Sequence, residues 1–363
     1  MLDRVRLLRS RRVGPQTYRR LLAENGSAAA ALAALPDIAR AAGVADYTPC
    51  PVEVAEAELR RGRQARARLL ASGYPGWPAP LDDLEDAPPL LWAVGRVELL
   101  ARPMVALVGA RNASSLGTRM ARRLAAEMGE AGFVVVSGLA RGIDAAAHGA
   151  AIATGTVAVV AGGVDVVYPS ENGQLRDDIA AAGLILSEQP PGLQPQARHF
   201  PARNRIISGL ARGVVVVEAA AKSGSLITAR TALDQGREVM AVPGHPFDGR
   251  AAGSNMLIRD GATLVRGAAD VIEVLGPAAD QAPPPAARVP RPPAAPPPPE
   301  RPLADTAELH RRILDRLGPS PVAENQLLRD LGTDPKVAAP VLLDLEMEGR
   351  IQRAPGGLLS RAG

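Results

Sequence analysis

The sequence predicts an α/β protein: a doubly wound parallel sheet with a small helical domain before it and a second small module after it. Three observations lead there. Between Met104 and Leu275 short β-branched runs alternate with alanine-rich amphipathic stretches, the first hundred residues carry apolar positions at helical spacing, and a proline-rich tract detaches everything beyond Pro302. At 363 residues two or three domains are expected. With 47% hydrophobic and 22% charged residues, the composition is that of a globular chain rather than a disordered or membrane one.

The first element is a helical domain over residues 1–95. Leu7-Leu8, Tyr18, Leu21-Leu22, Leu32, Leu35 and Ile38 recur at helical spacing, broken at Val13-Gly14-Pro15 and Asn25-Gly26-Ser27. The first break resembles a helix-hairpin-helix turn, whose amides can hold a DNA phosphate. A packing or dimerisation module fits as well, because the segment's charge is nearly balanced.

The central domain, residues 96–276, carries six strand candidates: Val105 to Gly109, Phe133 to Ser137, Val157 to Ala161, Leu184 to Ser187, Val214 to Glu218 and Val239 to Val242. Each is apolar on both faces and runs into Gly or Ser and then a helical stretch. That is the pattern of buried parallel strands joined by crossover helices, a Rossmann-like sheet. Ligands of such sheets bind beyond the carboxyl ends of the strands, so the strand-to-helix turns are where function is expected.

Residues 277–302 form the linker: Pro283-Pro284-Pro285 and Pro296 to Pro299 favour extended polyproline II and cannot bury a core. Residues 303–363 then show helical stretches around Glu308 to Leu317, Glu324 to Leu331 and Lys336 to Glu348, followed by a hairpin tipped by Gly356-Gly357. This is the winged-helix order. Acidic residues slightly outnumber basic ones here, so contact with a protein is favoured over duplex binding.

A net charge of +4 permits an anionic partner and decides nothing alone. Cys50 is the only cysteine, which excludes an intramolecular disulfide and a cysteine metal cage. Charges at Asp3, Arg4 and Arg6 stand where a signal peptide needs an apolar run, and no apolar stretch is long enough to span a membrane. The expected compartment is the cytoplasm, with no cofactor, metal or membrane.

The turn after the first strand, Gly109-Ala110-Arg111-Asn112-Ala113-Ser114-Ser115-Leu116-Gly117, lacks the G-x-G-x-x-G spacing, and the second strand ends in Ser137-Gly138 rather than an acid. Dinucleotide binding is thereby disfavoured. No G-x-x-x-x-G-K-[ST] occurs either, which excludes a P-loop. Arg111 could instead reach an anion at the N-terminus of the helix beginning near Ser114; an ordinary surface arginine is the alternative. In the second turn, Ser137 to Asp144, Gly138 and Gly142 flank a bend and Asp144 is expected to cap the helix that carries His148.

The most informative stretch is His199-Phe200-Pro201-Ala202-Arg203-Asn204-Arg205. Arg198, Arg203, Arg205 and Arg212 lie between Glu188 and Glu218 with no acid among them. Side chains and first-turn amides could both address phosphates there, and Phe200 offers a face for a base. A basic solvated helix with Phe200 in the core is the competing reading. After the fifth strand, Lys222-Ser223-Gly224-Ser225 and Thr228 combine hydroxyls, amides and a cation at a helix start, with a plain N-cap at Ser225 as the alternative.

These segments, in this order, resemble the DNA-processing protein A (DprA/Smf) family. The resemblance rests on Gly109-Ala110-Arg111 with Ser114 and Gly117, Ser137 to Asp144 with His148, Tyr168-Pro169 with Asn172, Ser187-Glu188, Phe200-Pro201 with Arg203-Asn204-Arg205, Ser223 to Ala229, and Val242-Pro243-Gly244. It implies a single-stranded-DNA-binding protein, not a turnover enzyme, that dimerises, protects DNA taken up in natural transformation and loads the RecA recombinase. It also implies a DNA site of Gly109, Arg111, Ser114, Gly117, Ser137, Gly138, Gly142, Arg198, His199, Phe200, Arg203, Asn204, Arg205, Lys222, Ser223, Gly224, Ser225 and Thr228. Two departures matter: the family's G-S-R reads Gly109-Ala110-Arg111, and basic positions of some members are Ser170 and Ala197. A nucleotide hydrolase of the phosphoribohydrolase type, using Glu188 or Glu218, is the alternative, though its P-G-G-x-G-T signature is missing. A third reading is an adaptor acting through the end domains alone.

Overall fold

The computed structural model describes residues 1–278, 303–318, 322–334, 338, 341–342, 345–346, 350–354 and 358–361. The chain divides into two compact units, one of Met1–Ala55 with Arg288–Gly363 and one of Glu56–Ala287. In the first, α1 (Leu2–Arg9), α2 (Pro15–Asn25) and α3 (Ala28–Ala41) begin and end where the sequence breaks demand. Pro15 takes the first position of α2, Gly26 closes it in the left-handed conformation, and the Ser27 hydroxyl accepts from the Ala30 amide at 3.1 Å to start α3. Leu7, Tyr18, Leu21, Leu32 and Leu35 are buried. Helix α4 (Val52–Gln64) follows.

The second unit is built on a nine-stranded sheet in the order β1-β2-β6-β5-β4-β3-β7-β8-β9. Its strands are β1 (Arg68–Ala71), β2 (Leu90–Gly95), β3 (Met104–Gly109), β4 (Val134–Ser137), β5 (Thr156–Val159), β6 (Leu184–Ser187), β7 (Gly213–Glu218), β8 (Glu238–Ala241) and β9 (Thr263–Leu264). From β6 to β9 every pairing is parallel; β2 joins β6, and β1 joins β2, antiparallel. The crossovers are α5 (Ser115–Glu130), α6 (Ile143–Ala151), α7 (Gly173–Ala182), α8 (His199–Leu210), α9 (Ser225–Asp234), α10 (Ala252–Arg259) and, after β9, α11 (Ala268–Leu275).

The period-2 geometry of β3 explains why the sheet is apolar on both faces. Met104, Ala106 and Val108 pack with Ile206, Ile207 and Leu210 of α8, whereas Val105 and Leu107 pack with Leu124 and Met128 of α5 on the other side. Fully burying one such side chain contributes about 1.5–3 kcal/mol, so this double-sided core dominates the unit's stability. The chain runs outward from β3 through β4, β5 and β6, then returns to lay β7 on the other flank of β3. That reversal is the topological switch, and it opens a crevice beyond Gly109 and Glu218.

All six expected strands are present. The expected helical stretch to residue 95 is corrected: residues 68–95 supply β1 and β2, and the α/β unit begins at Glu56. A short apolar run such as Leu90-Leu91-Trp92-Ala93-Val94 has no periodicity to separate strand from buried helix. Beyond the linker, α12 (Leu303–Arg316), β10 (Val322–Ala323), α13 (Glu324–Leu331), β11 (Ile351–Ala354) and β12 (Leu358–Arg361) give the winged-helix arrangement, with the sheet order β10-β12-β11. Most of the expected helix Lys336 to Glu348, the Gly356-Gly357 tip and most of the linker lie outside the described residues. Among the described residues no helix is long and apolar enough to cross a membrane.

Candidate functional site

Two adjoining cavities open along the carboxyl ends of the strands. One, of about 340 Å³, is bounded by Gly138, Arg141, Val167, Tyr168, Glu171 and Phe200. The other, of about 620 Å³, takes in Gly109, Asn204, Lys222, Ser223, Gly224, Ser225, Thr228 and Arg250. Arg111, Phe200 and Arg203 line both. The Arg111 guanidinium stands 5.2 Å from the centre of the Phe200 ring, and the Tyr168 and Phe200 rings meet with centroids 5.7 Å apart at 55°. A cation and an aromatic face therefore sit where the cavities meet, with Tyr168 beside them in the smaller one, a combination suited to a phosphate beside a base.

Amides at these bends, expected to face a ligand, are largely engaged by the protein itself. At the start of α5, Glu218 of β7 places its carboxylate on the helix N-terminus, accepting the Ser114 amide at 2.9 Å and the Ser114 hydroxyl, while Ser114 accepts the Gly117 amide at 2.9 Å. A side chain at Gly117 would lie 2.6 Å from Glu218 Oε2. The amide and hydroxyl of Ser114 thus hold Glu218, and Gly117 leaves room for it, at the helix start where an external anion was expected. Helix α8 begins at His199, and the His199 and Phe200 amides donate to Gln196 and Ala197 carbonyls, so the expected opening around Pro201 is closed.

The second bend is filled in the same way. Asp144 lies inside α6 instead of capping it, and its buried Oδ2 accepts the amides of Gly138 at 3.1 Å and Ala140 at 3.3 Å. Between them the Leu139 amide donates to His148 Nε2 at 3.3 Å, and Nδ1 of that ring lies 2.7 Å from the Thr156 hydroxyl. Burial raises the Asp144 pKa, opposed by the nearby Arg203 charge. Burial also lowers the His148 pKa to about 3, with the Arg203 charge adding to the effect, so the ring is neutral. Gly142 holds φ 77°, and a side chain there would meet the Ala110 carbonyl at 2.2 Å, so only glycine fits.

Arg203 projects from α8 beneath Gly138, whose missing side chain makes the room: a Cβ at that position would lie 1.9 Å from Nη1. Its Nη1 donates to the Val159 carbonyl at 2.6 Å. Burial lowers its pKa to about 10, with Asp144 acting in the opposite sense, and it stays cationic at neutral pH. It forms the charged floor shared by both cavities. Arg205, by contrast, is held by Glu188 at 2.7 and 2.8 Å and by Asp86 at 3.4 Å.

Seven of the expected site residues line neither cavity: Ser114, Gly117, Ser137, Gly142, Arg198, His199 and Arg205. Ser137 is buried with its hydroxyl donating to the Leu107 carbonyl at 2.6 Å; His199 is buried; Arg198 is exposed with Nε 3.4 Å from the His199 ring. Arg212 precedes β7 and contacts the Phe133 ring and the Pro277 carbonyl, so it belongs to the amino end of the sheet. The remaining eleven converge. Sequence reasoning left out Tyr168, Arg141 and Arg250 as lining residues. An exposed tyrosine beyond a buried strand, in a chain with 2% aromatics, was the available signal.

Family models match along the chain: DNA recombination-mediator protein A over residues 68–276, a DprA-like N-terminal HHH domain over 1–60 and a DprA winged helix domain over 292–357. The DNA processing protein DprA of Bacillus subtilis is 48% identical over 205 residues, 56% of this chain and 68% of that protein. Protein Smf of Escherichia coli is 34% identical over 310 residues, covering 85% and 81%. Among solved structures, DprA from Streptococcus pneumoniae matches with a TM-score of 0.64 and 38% identity over 75% of this chain and 97% of that one. DprA from Helicobacter pylori, solved for its single-stranded-DNA binding mode, matches with a TM-score of 0.54 and 31% identity over 58% and 95%.

Proposed function

The chain belongs to the DNA recombination-mediator protein A family, and from that premise we propose that it binds single-stranded DNA along the carboxyl rim of its sheet, as a DNA-processing protein of natural transformation. The observation that carries this reading is the Arg111 guanidinium over Phe200 at the junction of the two cavities. Arg111 contacts a phosphate, a base stacks on an open face of the Tyr168–Phe200 pair, and Lys222 with the Ser223 and Ser225 hydroxyls holds the next stretch of backbone. Arg203 adds charge from below. Because contacts go to phosphates and ring faces rather than base edges, sequence preference is slight.

Loading of RecA, action as a homodimer and a cytoplasmic setting are part of the proposal; the family's recombination-mediator description bears on the first of these alone. The proposed division is a helical domain, an α/β domain from near Glu56, a linker and a winged-helix domain; the order of the three family models, over residues 1–60, 68–276 and 292–357, supports it. The protein acts by binding rather than turnover. A nucleotide hydrolase would use Glu188 or Glu218, and both carboxylates are committed, to Arg205 and to Ser114.

The test is a titration of the full chain with single-stranded and duplex oligonucleotides of equal length at fixed salt. Tighter binding of the single strand, weakened in Arg111→Ala, is expected. Equal affinity for both forms, or an unaffected Arg111→Ala protein, overturns the reading.

A further inference from the structure

Phe247 is one of only three phenylalanines; Phe133 is fully buried, Phe200 stands in the groove, and Phe247 is 94% exposed. Among the large apolar side chains of the described residues it is the most exposed, and it stands on a tight, well-braced loop next to the rim. The loop lies between β8 and α10. Its root is clamped by Asn255, whose side chain accepts the Gly244 amide and donates to the Gly244 carbonyl, both at 3.0 Å. The Phe247 amide donates to His245 Nδ1 at 3.3 Å, and the two rings lie 5.6 Å apart at 41°. Asp248 binds Arg250 through its amide at 3.0 Å and its guanidinium at 3.1 and 3.2 Å.

The far end of the loop is fastened to the bend that carries Lys222. The Gly253 amide donates to the Ala219 carbonyl at 2.7 Å, and the Ser254 hydroxyl accepts the Ala219 amide at 3.0 Å. A side chain at Gly253 would lie 2.6 Å from the Ala220 carbonyl, so the approach is close. Arg250, three residues beyond Phe247, lines the larger cavity with Lys222 and Ser223. Asp248 already answers the Arg250 charge. What the loop offers a ligand is the ring.

Resting on the reading above, we infer that Phe247 is a second stacking face for a nucleobase, beyond the Lys222–Ser225 bend from Phe200, so that the strand runs from the Tyr168–Phe200 pocket past the cationic bend to this loop. Such alternation of ring and cation suits a single strand, whose bases are available to stack, and not a duplex, whose bases are already stacked.

The experiment compares the full chain with its Phe247→Ala, Phe247→Leu and Arg111→Ala variants, titrated with an oligothymidylate long enough to cross the rim and with an abasic oligonucleotide of equal length. Phe247→Ala should weaken oligothymidylate binding about tenfold, the order set by loss of one base–aromatic stack, and leave abasic binding unchanged. Phe247→Leu, which keeps apolar surface without a ring face, should fall with alanine. Wild-type binding by Phe247→Ala while Arg111→Ala is impaired would overturn the inference and leave the proposed function standing. Equal losses on both oligonucleotides would also overturn it, since base stacking would not be the cause. Absence of single-strand binding by the unsubstituted chain would overturn both.

Discussion

Arg205→Ala should destabilise the α/β unit far more than Arg111→Ala, although both arginines belong to motifs read from sequence as phosphate contacts. The Arg205 side chain is 10% exposed and binds both oxygens of Glu188, itself 15% exposed, at 2.8 and 2.7 Å. Removing one member of a buried pair costs about 3–5 kcal/mol, because the other charge stays in a poor solvent for it. The Asp86 contact, 3.4 Å away and 52% exposed, adds under about 1 kcal/mol. Taking the low end, because Glu188 has other interactions and can relax, gives a loss of about 3 kcal/mol.

For a unit spanning Glu56–Ala287, that loss corresponds to a fall in Tm of roughly 6–12 °C. Urea unfolding followed by tryptophan fluorescence measures it, since Trp77 and Trp92, the only two tryptophans, both lie in this unit. Arg111 is exposed and its stacking on Phe200 contributes about 0.5–1 kcal/mol at most, so Arg111→Ala should unfold nearly with the unsubstituted chain. An Arg205→Ala protein of unchanged stability that nevertheless loses DNA affinity would refute the structural assignment of this side chain.

Arg111→Ala should instead weaken single-strand binding by about 1–3 kcal/mol and reduce the salt slope by nearly one phosphate's worth, read from titrations at several ionic strengths. Gly138→Ala forces a Cβ to within 1.9 Å of Arg203 Nη1 and should lower stability by about 2–4 kcal/mol in the same urea assay. His148 titrates near 3 in the folded chain and near 6.5 unfolded. The unfolded state therefore binds more protons between those values, and stability should fall as pH drops from 6.5 toward 3, by up to about 1.4 kcal/mol per pH unit. Asp144, with its raised pKa, works in the opposite sense, so the histidine's share is the difference between the unsubstituted chain and His148→Gln. Equal pH dependence of the two would defeat the assignment.

The sheet was legible because its strands are buried on both faces: a run such as Val214 to Val217 has no other soluble use once glycine and a helical stretch follow it. Strands β1 and β2 were not, because their four and six residues carry no period and no turn signature that a helix would lack. Within the site, residue types were informative and their partners were hidden. Arg203 and Arg205 lie two positions apart in one helix, so their side chains point to different neighbours; one floors the cavities and the other meets Glu188, just beyond β6. Likewise Glu218 reaches Ser114 across a separation of 104 residues, which no local pattern announces.

The two carboxylates at the bends bear on what kind of anion the rim can take. In a sheet of this winding the N-terminus of the first crossover helix ordinarily receives a pyrophosphate, because its amides converge on one point. Here Glu218 fills that position at α5 and Asp144 fills the amide bend before α6. A compact diphosphate would have to displace a buried, hydrogen-bonded carboxylate of like charge to enter either place. What stays accessible is spread along the rim: Arg111 at the junction, exposed Lys222 at the next bend and exposed Arg198 outside both cavities. Separated cations with aromatic faces nearby match charges spaced along a polymer better than charges gathered on one small molecule. Under the proposed function the internal carboxylates would shift selectivity from mononucleotide toward strand, by excluding the compact competitor rather than by adding a contact to the chain that binds.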